Sequence, residues 1–106
     1  MDLKMFVFYV DGKKFTTDNY NKILWDDFSS PDENTPAFEN ILKGLKVWCL
    51  KGFIHHRLTG PSEILGDGTY WFWLDNKFYG KNCHDWLKEH PNQTNAFQIE
   101  MLLKYT

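Results

Sequence analysis

This chain of 106 residues is short of several things. It has two cysteines, Cys49 and Cys83, too few for a disulfide framework. No apolar run approaches the roughly 20 residues that span a bilayer, so no membrane association is expected. Its seven glycines are dispersed rather than gathered into a phosphate-cradling loop. It also lacks the basic excess of a general nucleic-acid binder: twelve Lys and Arg stand against fourteen Asp and Glu, for a net charge of −2. The first residues form a short aromatic run followed by Asp11-Gly12-Lys13-Lys14, which is not the layout of a secretory signal. A cytoplasmic protein with both thiols reduced is therefore expected. In that setting the Asn92-Gln93-Thr94 sequon carries no meaning.

What is plentiful is aromatic: nine Phe, five Trp and five Tyr, 18% of the chain. Each ring buries about 150–250 Å². A single domain this small cannot easily hide all of them, and leftover aromatic surface is a common ingredient of an interface. The same rings also compensate for a small core. Charge is unevenly spread. Asp26, Asp27, Asp32, Glu33 and Glu39 form an acidic block with no Lys or Arg inside it. Lys43, Lys46, Lys51 and Arg57 follow as a basic block beside His55 and His56. Such a division either steers a partner or is solvated surface.

Residues 5–10 are β-branched and aromatic and predict a strand. Asp11-Gly12 is a type I′ hairpin turn signal, and Phe15–Thr17 returns as a second strand. Asp18 stands where an N-cap belongs, with Tyr20, Ile23, Leu24 and Phe28 following at helical spacing. Thr35-Pro36 predicts a second helix start, with Phe38, Ile41, Leu42 and Leu45 as its stripe. Strands at 45–50, 53–58, 62–65 and 69–74 then alternate with turns at Lys51-Gly52, Thr59-Gly60-Pro61 and Gly66-Asp67-Gly68. Asn82 caps a further helix, with Asp85 at its third position. His90-Pro91 ends it, and Ala96–Tyr105 forms the last. The expectation is one domain over 1–106: a hairpin plus helix at 1–28, a short helix at 36–44, a β-meander at 45–79 and C-terminal helices at 82–105. The fold class is α+β, an antiparallel meander sheet with three or four short helices packed mainly on one face.

Two segments echo each other. Phe8-Tyr9-Val10-Asp11-Gly12-Lys13-Lys14-Phe15 aligns without gaps on Phe72-Trp73-Leu74-Asp75-Asn76-Lys77-Phe78-Tyr79. Both are strand, αL-tolerant turn and return strand, followed by a capping residue. Shared ancestry and the limited vocabulary of hairpins both account for it.

The pattern Trp48-x3-Gly52-x3-His56-Arg57-Leu58-Thr59-Gly60-Pro61-Ser62-x4-Asp67-Gly68-x2-Trp71-x-Trp73-x2-Asn76-Lys77 resembles a repeat found in small proteins of large tailed phages and giant viruses. Its usual form is W-x-x-x-G-x-x-H-R-x-x-G-P-A, then D-G, then W-(Y/W)-x-N-G-K, and it is related in spirit to MORN-type hairpin repeats. The resemblance covers about residues 47–90, in a single copy. One residue is inserted before His56-Arg57, Ser62 stands where Ala is usual, and Asn76-Lys77 lacks the intervening Gly. The resemblance implies a phage-encoded accessory protein, acting in the host cytoplasm on a host or anti-phage defence protein such as a CRISPR effector. It implies no catalytic residues. In this pattern the glycines make turns, the tryptophans pack across strands, and Arg57 is placed to lie over a Trp face.

Other chemistry is weaker. Cys49, His55, His56, Cys83, His84 and His90 include only adjacent pairs, and neighbours on a strand point to opposite faces, so no metal site and no cofactor are expected. Neither Cys49 nor Cys83 stands in a typical nucleophile setting, and no enzymatic activity is expected. Asp26-Asp27 has the character of a solvated carboxylate pair. The expected partner-binding residues are Asp26, Asp27, Asp32, Glu33, Tyr70, Phe72 and Arg57. The alternative is a nucleic-acid or nucleotide-binding module using Trp71, Trp73 and Arg57. Monomer and homodimer both remain open.

Overall fold

The computed structural model describes residues 5–90 and 94–105. Asn92 and Gln93 of the sequon, and Pro91, lie outside the described residues. Among the described residues are nine strands and two α-helices: β1 (Phe6–Val10), β2 (Lys13–Thr17), β3 (Phe38–Asn40), β4 (Leu45–Val47), β5 (Cys49–Leu50), β6 (Ile54–His55), β7 (Glu63–Ile64), β8 (Tyr70–Leu74), β9 (Lys77–Gly80), α1 (Cys83–Lys88) and α2 (Asn95–Tyr105). Seven strands form one antiparallel sheet in the order β2-β1-β3-β4-β7-β8-β9, and β5-β6 is a separate hairpin.

This corrects the expected fold class. The chain is mainly a seven-stranded antiparallel sheet with only two α-helices, not a sheet carrying three or four. The segment after Asp18 makes a single 3₁₀ turn, Tyr20–Lys22, capped by Asn19 rather than Asp18. Extended geometry at Ile23 ends it. Only Ile23 and Phe28 of its apolar set are buried; Tyr20 and Leu24 face solvent. A costly helix nucleus is not worth forming where the segment must instead stretch across the sheet to seat Phe28. The expected helix at 36–44 is strand β3 and a turn. Phe38 sits directly between Phe8 and Val47, and that pairing on both sides overrides the helical spacing. Ile41 and Leu42, the middle of the predicted stripe, are exposed in the turn.

The two echoing segments are the outer hairpins of the sheet. Both turn through positive φ, at Asp11 (50°) and Gly12 (80°) and at Asp75 (48°) and Asn76 (67°), as a type I′ turn requires. Asn82 caps α1 as expected: its Oδ1 accepts from Asp85 N at 3.0 Å, and its Nδ2 donates to the Asp85 carboxylate. Thr94 Oγ1 accepts from Phe97 N at the start of α2.

Register decides which faces are buried. Phe8, Phe38, Val47, Glu63 and Trp71 lie directly opposite one another across five strands and share the front face. Val7, Glu39, Lys46, Ile64 and Tyr70 form the next row, on the back. In the β2-β1-β3-β4 half the front is buried: Phe6, Phe8, Phe38 and Val47 pack with Ile23, Phe28 and Cys49. In the β7-β8-β9 half the back is buried: Phe72 and Leu74 pack with Cys83, Trp86, Leu87 and Met101 of the helices. The sheet therefore carries two cores on opposite faces. Its radius of gyration, 14.4 Å, exceeds the ~13 Å of an average domain of this length. A single layer of seven short strands is too wide to wrap around one core.

Candidate functional site

The motif residues tie the small hairpin to both halves of the sheet. β6 is stitched to the β8–β9 turn: Asn76 N donates to His55 O at 2.8 Å, and His55 N donates to Asn76 Oδ1 at 3.2 Å. His56 Nδ1 lies 2.9 Å from an Asp75 carboxylate oxygen and 3.1 Å from Asp75 N. The His55 ring stacks on Trp73, with centroids 4.6 Å apart. Arg57 lies over the Trp48 ring at 3.8 Å, and its Nε and Nη1 donate to the carbonyls of Glu33 (3.0 Å) and Pro61 (3.1 Å). Burial lowers the Arg57 guanidinium from its ordinary value, opposed by Tyr105 and Glu33.

The seven expected contact residues do not form one surface. Asp26 and Asp27 are exposed, and the Asp26 carbonyl accepts from Gly52 N, placing them beside the β5–β6 hairpin. Asp32 Oδ1 accepts from Asn34 N within its own turn. Glu33 is anchored inward: its Oε2 accepts from Leu58 N at 2.9 Å and Thr59 Oγ1 at 3.4 Å. Tyr70 belongs to the back face, where its hydroxyl donates to Tyr105 O. Phe72 is fully buried, between Trp86 and Tyr105. It is core, because strand alternation turned it to the side the helices cover.

The alternate residues of the same strand are the ones left open. None of the described helices covers the front of the β7-β8-β9 half. Trp71 and Trp73 are half-buried there, and Phe78 on edge strand β9 is 52% exposed. Phe78 lies 5.7 Å from Trp71 and 4.8 Å from Trp73, ring to ring. Lys81 Nζ stands 5.9 Å above Trp71. His55 and Phe53 continue the ring contacts toward Phe28 in the first core. Phe78 and Lys81 were not among the expected contact residues. The alternation Tyr70-Trp71-Phe72-Trp73-Leu74 separates two faces but does not say which one the helices choose. The other well-exposed rings, Phe15 and Tyr20, sit toward the opposite end of the sheet.

The thiols occupy interiors. Cys49 Sγ–H points at Phe28 O and Cys83 Sγ–H at Met101 O, each 3.8 Å away. Burial pushes Cys49 up to about 12 and Cys83 to about 11. His84 is exposed beside Asp85, whereas the Cys83 thiol is buried. Among the described residues, no three His, Cys, Asp or Glu side chains converge as a metal site would require. None of the described helices is long and apolar enough to cross a membrane. No family model, no curated protein and no solved structure matches this chain.

Proposed function

We propose that this protein is a small accessory protein that binds and inhibits another protein by covering its surface. The setting is the one the Trp48–Lys77 pattern implies: a phage protein acting on a host or anti-phage defence protein, such as a CRISPR effector. The observation that carries the reading is the front of β8–β9, where exposed Phe78 and half-buried Trp71 and Trp73 form an aromatic patch at the sheet edge. Aromatic surface of this kind supplies the anchors of protein interfaces. Mixed charge beside the patch, with Lys81 over Trp71 and Glu63 directly opposite Trp71, fits a protein partner better than a phosphate backbone.

Affinity capture from host lysate tests it. Wild type retains a stoichiometric partner, and the pair Trp71→Ala and Phe78→Asp loses it while Phe15→Asp, at the opposite edge, keeps it. Absence of any stoichiometric partner sinks the reading. Saturable tryptophan quenching by single-stranded nucleic acid at low salt, abolished by Trp71→Ala, would transfer the same patch to base stacking.

A further inference from the structure

A second feature lies on the back of the sheet, away from the aromatic patch. A groove of about 640 Å³ runs between the Lys46–Ile64 pairing and the end of α2. Ligand sites typically occupy about 300–1,000 Å³. Three cations line it: Lys46 from β4, Arg57 from the motif and Lys104 from α2. Among the described residues no carboxylate lines it, although acids outnumber bases in the chain. Glu39 lies cross-strand from Lys46 on this face but does not line the groove, and Glu33 has its carboxylate committed to Leu58 N and Thr59 Oγ1.

Arg57 makes the inversion informative. It is a half-buried guanidinium, and among the described residues no carboxylate comes within 4.0 Å of it. Cations withdrawn from water ordinarily hold an anion. Its Nε and Nη1 are used by carbonyls and its face by Trp48, which fixes the guanidinium and leaves Nη2 without an acceptor among the described residues. The Tyr105 hydroxyl stands on the same side: a Cβ at Gly60 would meet Arg57 Nη1 at 3.0 Å and Tyr105 Oη at 3.3 Å. Trp48, only 4% exposed, also lines the groove, and its indole N–H is buried with no acceptor. A neutral donor without an acceptor thus accompanies three cations that no carboxylate among the described lining residues neutralises.

We infer that this groove is an anion-binding site for a phosphate-bearing small molecule of the charge and size of a nucleoside diphosphate. One carboxylate would neutralise one of the three cations, whereas a diphosphate matches all three. The remaining Arg57 donor, Nη2, is held in place by those contacts and suits a phosphate oxygen. Gly66 and Gly68 give that part of the wall no side chains, so a ligand can approach the backbone.

The test is calorimetric titration of the full chain at low and at moderate salt, with inorganic pyrophosphate and adenosine diphosphate as separate probes. Saturable binding of either is expected, and Lys46→Glu and Lys104→Glu should each weaken it about tenfold, the loss of one charge-assisted contact. Both lysines are exposed, so neither variant threatens folding. Phe78→Asp, on the front face, should leave the affinity unchanged. Pyrophosphate binding as tightly as the nucleotide supports the site with recognition through phosphates alone. Tighter nucleotide binding supports it with a contact to the base as well. No saturation by either probe at millimolar concentration, or affinity indifferent to both lysine variants, overturns the inference. Neither outcome touches the aromatic patch, so the two surfaces succeed or fail separately.

Discussion

Replacing Arg57 by alanine removes the one side chain that fastens the 30–35 loop, the Gly60-Pro61 turn and Trp48 together. Two hydrogen bonds from a charged donor disappear, leaving the carbonyls of Glu33 and Pro61 unpaired. Bonds of this type are worth about 1.5–3 kcal/mol each in favourable settings. The guanidinium over Trp48 at 3.8 Å adds about 0.5–2 kcal/mol. Against this, alanine returns the desolvation cost of a half-buried cation, and water reaches part of the vacated space. The net loss is about 2–4 kcal/mol. At ~2.1 cal/mol/K per residue over 106 residues, each kcal/mol moves the midpoint by about 4–5 °C, so the melting temperature should fall by roughly 9–18 °C. Urea unfolding followed by circular dichroism measures the free energy directly, and calorimetry the midpoint. Arg57→Lys should recover less than half of the loss, because an ammonium cannot reach both carbonyls while lying flat on the ring. A double-mutant cycle with Trp48→Leu should report coupling of about 0.5–2 kcal/mol. A loss below about 1 kcal/mol for alanine, or full stability in the lysine variant, would refute the clamp.

Ser62 is fully buried with its hydroxyl unpartnered, at the position where the resembling repeat has alanine. Ser62→Ala should therefore stabilise by about 1 kcal/mol in urea titration, and destabilisation would show that the hydroxyl has a partner. A Cβ at Gly66 would lie 2.0 Å from Lys43 O, where the β3–β4 and β7–β8 turns touch, so Gly66→Ala should cost about 1–3 kcal/mol. Neither thiol should react with a disulfide reagent at pH 8 until denaturant is added; fast labelling of the native chain would contradict the burial of Cys49 and Cys83. Cys49 also sets a pH dependence. Its folded value, about 12, lies above the ordinary 9.0, so its contribution is complete below pH 9 and is lost as pH rises toward 12. Cys49→Ala should flatten that alkaline fall, and an unchanged slope would remove Cys49 as its source.

Local chemistry was legible wherever a few neighbouring residues determine the outcome. Asp11-Gly12 and Asp75-Asn76 adopt positive φ because the hairpins they close are two residues long. Asn82 with Asp85 marks a helix start, since the cap satisfies amides within its own turn. The placing of Arg57 over a tryptophan also followed from the sequence, but not the choice of Trp48 over Trp71 or Trp73.

That choice belonged to the tertiary structure, as did the fate of residues 36–44 and the burial of Phe72. Phe38, Ile41, Leu42 and Leu45 have helical spacing, yet β1 and β4 offered Phe38 a slot on both sides, and cross-strand packing outweighed a short helix. The alternation in Tyr70–Leu74 guaranteed two faces of opposite fate. Which face the helices cover depends on where α1 and α2 return, and no local signal encodes that. The back groove is the extreme case. Lys104 lies far along the chain from Lys46 and Arg57 and joins them only because α2 ends beside the β4–β7 pairing. The sequence determined the two outer hairpin turns, the Asn82 cap and the aromatic surplus. Long-range pairing decided which rings and which charges would be left facing a partner.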